Sequence, residues 1–136
     1  MLRLGEIGAG TELESISVSV ENGKMKTIAA IMRDPNPTHF DVETVRILGL
    51  GDRLLNQGPA NAGYLMELVR RHAGGAANVR AFSVRYLGTV HEGDAVVCAG
   101  TVAAVDAEAK TATLELSASV DGTPVVAGSA VIALAD

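Results

Sequence analysis

The feature that most constrains this chain is the succession of strand-like segments filling its second half. Phe82, Val84 and Tyr86 alternate with Ser83 and Arg85, and DAVVCAGTVAAVD, residues 94–106, is one long apolar run. Ala112, Leu114, Leu116, Ala118 and Val120 then alternate with Thr111, Thr113, Glu115, Ser117 and Ser119, the period-two pattern of a strand with one wet face. The DGTP stretch (Asp121 to Pro124) is a tight hairpin signal into VVAGSAVIALA, and VDAEAKT supplies the preceding turn. Strands joined by such short turns must be antiparallel. A sheet with one dry face needs an apolar cover, and the only long candidate is the helical stretch Gly58 to Ala73. Its Ala60, Ala62, Leu65, Met66, Leu68 and Val69 spread round most of the circumference, which predicts a buried helix. The expected class is therefore α+β: an antiparallel sheet of four or five strands wrapped around a long central helix.

The first half supplies an added strand and two shorter helices. ISVSV, residues 16–20, alternates apolar and hydroxyl residues. Met25, Ile28, Ile31 and Met32 recur at helical spacing and predict one apolar face, with Pro35 ending the helix because the residue before a proline avoids the helical region. Asp41 is placed to cap a second helix, VETVRILGL, closed by Gly49 or Gly51. Pro59 suits the first position of the central helix, and Gly74 and Gly75 its stop. Glu67 and Arg71 form a helical pair, while Arg70, Arg71 and His72 complement the negative end of the helix dipole.

Composition excludes several functions. With 136 residues the chain is expected to form a single domain over 1–136, and 11 scattered Lys and Arg against 16 Asp and Glu give no basic footprint for nucleic acid. No apolar run is long enough to span a membrane, and the N-terminus has no apolar leader. The single cysteine, Cys98, cannot form an internal disulfide, which fits a cytoplasmic location. Its apolar setting marks it as a small buried hydrophobe.

Against this background DPNPTHFD, Asp34 to Asp41, is conspicuous. Asp34 and His39 are five apart and would not meet on a regular helix or strand. Pro35 and Pro37 restrict the backbone so that the chain turns between them, and Asn36 can bond its own local backbone to hold that turn. A carboxylate and an imidazole converging on one water form an acid and base near neutral pH. On the residues alone, a turn aspartate and a backbone-bonded histidine are the stronger readings, and only a match of the full motif reverses that. His91 and Glu92, in the GTVHEGD turn, read as solvent-facing.

The element order, DPNPTHFD before the central helix and GTVHEGD between later strands together resemble the hotdog fold. More narrowly they resemble its MaoC-like hydratase and dehydratase branch, whose signature Asp-x-Asn-Pro-x-His-x-Asp is matched by Asp34, Asn36, Pro37, His39 and Asp41. The resemblance implies an enzyme adding or removing water across an enoyl or (R)-3-hydroxyacyl thioester of coenzyme A or acyl carrier protein, with Asp34 and His39 handling the water. No metal or redox cofactor is required. Asp41 is read only as a cap.

The enolate-like oxygen of such a reaction needs a donor at the start of the central helix, where free N–H groups and the positive dipole end coincide. The family's His-Gly-Met glycine is matched by Gly58, whereas Gln57 and Pro59 depart from the pattern. Gly58, Asn36 and Gln57 make the expected substrate-binding set. Two other functions compete: a hotdog thioesterase using Glu67 as its helix carboxylate, and a non-catalytic subunit of a heteromeric hydratase. An exposed sheet edge, and the resemblance itself, imply a homodimer or larger oligomer, or a heteromer with a second MaoC-like chain.

Overall fold

A computed structural model describes every residue from Met1 to Asp136. In chain order it contains β1 (Ile16–Ser19), α1 (Asn22–Met32), α2 (Val42–Ile47), α3 (Gly58–Ala73), β2 (Val79–Tyr86), β3 (Ala95–Asp106), β4 (Thr111–Val120) and β5 (Thr123–Ala133). One antiparallel sheet has the order β1-β3-β4-β5-β2. No helix is long and apolar enough to cross a membrane.

Strand β4 shows how the pattern becomes packing. Ala112, Leu114, Leu116 and Ala118 are buried on one face, while Glu115 on the other is exposed. Leu114 is in register with Val102 on β3 and Ala130 on β5, so three strands place apolar side chains on one level. The β4–β5 connection turns on Asp121 and Gly122, both at positive φ, between the paired residues Val120 and Thr123. This is the two-residue hairpin geometry that Asp-Gly favours.

Helix α3 lies against the dry face. Leu65, Leu68 and Val69 have no exposed surface and join Val96, Leu114 and Ile132 in the core, each burial worth about 1.5–3 kcal/mol. The enclosure is not complete: Gly63, Arg70 and Arg71 are exposed and Ala62 and Met66 half-buried, so the sheet covers a stripe of the helix rather than its circumference. Gly74, at φ 72°, accepts the left-handed conformation that ends it.

Helix α1 differs from expectation in both its face and its end. Met25 and Ala29 are buried, but Ile31 is 77% and Met32 45% exposed, so the inward stripe runs Met25, Ile28, Ala29. The helix stops at Met32 rather than at Pro35, because Arg33 adopts φ 52° and the Asp34 N–H bonds back to the Ala29 carbonyl. That closure turns the chain out of the helix just before the two prolines. Helix α2 begins as expected: Asp41 accepts from the Glu43 N–H and the Thr44 hydroxyl, and Gly49 follows its last turn at positive φ.

Candidate active site

Of the 30 buried residues only six are polar, and five of them, Thr38, His39, Asn56, Gln57 and Asn61, surround the N-terminus of α3. Burying polar groups is costly without partners, so this concentration makes the start of α3 the candidate site.

The Asp34–His39 turn is built from local bonds. Asp34 Oδ1 accepts the Asn36 N–H at 3.0 Å, and Asn36 Oδ1 accepts from the N–H and the hydroxyl of Thr38 at 3.1 and 2.9 Å. Pro37–His39 then forms a single 3₁₀ turn closed by the Phe40 N–H on the Pro37 carbonyl. The turn is clamped from outside by Leu55, whose N–H donates to the Thr38 carbonyl at 3.0 Å and whose carbonyl accepts from His39 Nδ1 at 2.7 Å. Leu55 is held in turn by a β-bridge to His91.

These constraints bring Asp34 and His39 together, with Oδ2 to Nε2 at 3.3 Å. A carbonyl can only accept, so Nδ1 carries a proton and the Nε2 of the neutral ring presents a lone pair. That lone pair faces a carboxylate, and two acceptors at this distance need a proton or a water hydrogen-bonded to both. The His39 side chain is 8% exposed and that of Asp34 25%.

His39 forms the wall of a cavity of about 220 Å³ together with Asn36, Gly58, Asn61 and Tyr86. Asp34 does not line this cavity and meets it through its contact with His39 Nε2. Gly58 meets the cavity where expected. As the first residue of α3 after the Gln57 cap it has no intrahelical partner for its N–H, and Pro59 has no N–H to add. The Tyr86 ring covers it closely: a Cβ at position 58 would lie 3.4 Å from the Tyr86 Cζ.

Gln57 does not meet the expectation of a substrate contact. Its side chain is fully buried and turned away from the cavity, with Nε2 donating to the Met25 carbonyl at 3.0 Å, so it ties α1 to the start of α3. Glu67 also lies elsewhere: on the outer side of α3 it accepts from both Arg70 and Arg71, and those guanidinium hydrogen bonds pull its carboxyl down to about 2. Cys98 is fully buried in the core, where desolvation pushes its thiol up to about 11. His91 and Glu92 are half-buried rather than solvent-facing. His91 Nε2 donates to the Leu50 carbonyl at 2.9 Å, and Asp94 accepts both the His91 N–H and Arg53 Nη1, so the GTVHEGD turn grips the segment leading to Gly58.

Sequence reasoning missed Asn56 and Asn61. Asn56 Nδ2 donates to Asn61 Oδ1 at 2.7 Å and to the Tyr64 hydroxyl at 3.1 Å. The available signal was spacing, since Asn61 follows Gly58 by three on the same face of α3.

A helix wrapped by an antiparallel sheet, with the polar cavity at its N-terminus, defines a hotdog-fold α+β protein. The MaoC like domain model matches residues 6–123, and the chain belongs to that family. Its fold is similar to that of the (R)-hydratase from A. caviae involved in PHA biosynthesis, with TM-score 0.86 and 22% identity over 96% of this chain and 99% of that one. It is also similar to a chain of the ChsH1-ChsH2 complex from Mycobacterium tuberculosis (TM-score 0.82, 17% identity, 95% and 98% covered). A third similar structure is the C-terminally truncated HadBC (3R-hydroxyacyl-ACP dehydratase) complex from the same organism (TM-score 0.72, 18% identity, 95% and 98% covered). At these identities the likeness is one of fold. Among curated protein sequences none matches significantly.

Proposed function

We propose that the chain hydrates enoyl thioesters, or dehydrates 3-hydroxyacyl thioesters, of coenzyme A or acyl carrier protein. The observation carrying this reading is the 3.3 Å approach of His39 Nε2 to Asp34 Oδ2 beside a cavity that also receives Gly58. In the hydration direction the oxygen of a water held by the pair bonds to C3. Its proton passes to the pair, a proton is delivered to C2, and the intervening negative charge on the thioester oxygen is met by the Gly58 N–H. Asn36 acts through the turn, by fixing Asp34 and Thr38. The names of the similar structures, an (R)-hydratase and a 3R-hydroxyacyl-ACP dehydratase, support the same reaction class and the (R) configuration.

Glu67 gives the thioesterase alternative little support, because its carboxylate is engaged by two arginines outside the cavity. The test is to incubate the protein with crotonyl-CoA and longer enoyl-CoAs while following enoyl absorbance and free thiol together. Loss of absorbance without thiol release is expected; thiol release without hydration would overturn the reading.

We further propose that the working unit contains two hotdog chains. The β2 strand ends the sheet, and Tyr86, its last residue, and the following Leu87 are 49% and 48% exposed at the cavity end of that edge. The partner is a second copy or another MaoC-like chain; the ChsH1-ChsH2 and HadBC structures are complexes by name. Sedimentation at micromolar concentration is expected to show at least a dimer when the correct partner is present, and a monomer under all such conditions would refute the pairing.

A further inference from the structure

An enolate oxygen accepts more than one hydrogen bond, and the first turn of α3 is poorly supplied with donors. Gly58 offers one N–H, Pro59 offers none, Ala60 does not line the cavity, and the Asn61 N–H is already bound to the Gln57 carbonyl. The side chain of Asn61 is different. Three residues after Gly58, it rises on the same face of the helix and lines the same cavity as Gly58 and His39. The residue is 4% exposed. Its Oδ1 is occupied by Asn56 Nδ2 at 2.7 Å; Asn56 has its backbone held by the Val90 carbonyl and its Nδ2 also donating to the Tyr64 hydroxyl, while its own Oδ1 is buried without a partner. With the oxygen end engaged, the Nδ2 end of Asn61 has no acceptor in the chain and is left to whatever fills the cavity. A buried, oriented and unpartnered amide donor beside the Gly58 N–H has the form of a two-donor oxyanion site.

We propose that the side-chain amide of Asn61 donates the second hydrogen bond, beside the Gly58 N–H, to the thioester carbonyl oxygen. This rests on the hydratase reading and completes it where Pro59 removes a backbone donor. Asn56 is then a positioning residue that sets which end of the Asn61 amide faces the substrate.

The test compares wild type with Asn61→Asp, which keeps the oxygen accepting from Asn56 but removes the donor, and with Asn61→Leu, which keeps the volume. Both are expected to lose about a hundred- to a thousandfold in kcat with KM changed little, the usual cost of one oxyanion donor. A conjugated dienoyl-CoA supplies a second readout, because polarising its carbonyl shifts its ultraviolet absorbance to longer wavelength on binding. That shift is expected with wild type and lost in both variants, which a purely structural role for Asn61 would not produce. Wild-type kcat in Asn61→Asp, or a full shift in either variant, overturns the assignment. If wild type shifts the dienoyl spectrum but hydrates no enoyl thioester, the hydratase reading fails while the shift in the variants still decides the role of Asn61. No shift in wild type refutes both.

Discussion

His39 has Nδ1 bonded to the Leu55 carbonyl at 2.7 Å and Nε2 placed 3.3 Å from Asp34 Oδ2. The first contact fixes the tautomer and the second aims it. Asp34→Asn keeps the Oδ1 acceptor for the Asn36 N–H and is expected to leave the melting temperature nearly unchanged, whereas His39→Gln loses the buried bond to the Leu55 carbonyl and should cost about 1–3 kcal/mol. Each should lower kcat for enoyl-CoA hydration by about 10²–10⁴-fold, the usual contribution of a positioned acid or base. Steady-state kinetics beside thermal melts checks both halves of this expectation.

Asn36 holds the turn rather than the water. Asn36→Ala removes the acceptor shared by the Thr38 N–H and hydroxyl and should cost about 1 kcal/mol, comparable to losing a helix cap. Urea unfolding measures that cost. Hydration should fall in the same variant through a misplaced His39, and Asn36→Asp, which retains the acceptor, should recover most of it.

Two glycines should respond to alanine in opposite directions. A Cβ on Gly128 would lie 2.6 Å from the Ser83 carbonyl oxygen across the β5–β2 pairing, so Gly128→Ala must move backbone and is expected to cost about 1–3 kcal/mol. Gly63 is in mid-α3 with nothing within 4 Å of such a Cβ, so Gly63→Ala should stabilise by about 0.4–1 kcal/mol. Opposite shifts in denaturation midpoint are the expected result.

Cys98, fully buried and with its thiol pushed up to about 11, should be inert to an aromatic disulfide reagent at pH 8 until the protein unfolds. The rate of labelling should therefore rise steeply across the urea transition, and prompt stoichiometric labelling of the native protein would contradict the packing.

Acid should weaken the fold partly through Glu67 and Asp41. Glu67 is lowered from 4.5 to about 2 by the side chains of Arg70 and Arg71, and Asp41 is lowered by the Thr44 hydroxyl and then the Glu43 N–H. A carboxyl depressed in the native state binds its proton more readily when unfolded, so its contribution is present above its ordinary value and is lost as pH falls towards the native one. Stability measured from pH 5 to pH 2 should fall less steeply in Glu67→Gln than in wild type.

The meander and the DPNPTHFD turn were legible because their rules are local. Period-two alternation fixes which side of β4 is dry, and proline, asparagine and aspartate impose short-range backbone bonds that need no knowledge of the rest of the chain. What was misread depends on distant neighbours. The spacing of Ile28, Ile31 and Met32 predicts a helix, but only the position of the sheet decides that Ile31 and Met32 face outward. Likewise Arg33 ends α1 by a left-handed conformation that arginine does not advertise. Gln57, Asn56 and Asn61 look like ordinary polar residues in sequence, and their burial becomes visible only once α1 and the Val90 segment close over the start of α3.

The strand order also sets a schedule for folding. Strands β3, β4 and β5 are consecutive and close over short turns, whereas β1 must wait for β3, and β2 for β5, across far longer loops. Loop closure costs more entropy as loops lengthen and slows folding when contacts are distant in sequence. The meander should therefore gain protection from hydrogen exchange before either edge strand. The segment carrying Asp34, His39 and Leu55 lies wholly within the long excursion between β1 and α3, so the capacity for chemistry should be acquired last, after a sheet already exists to receive it.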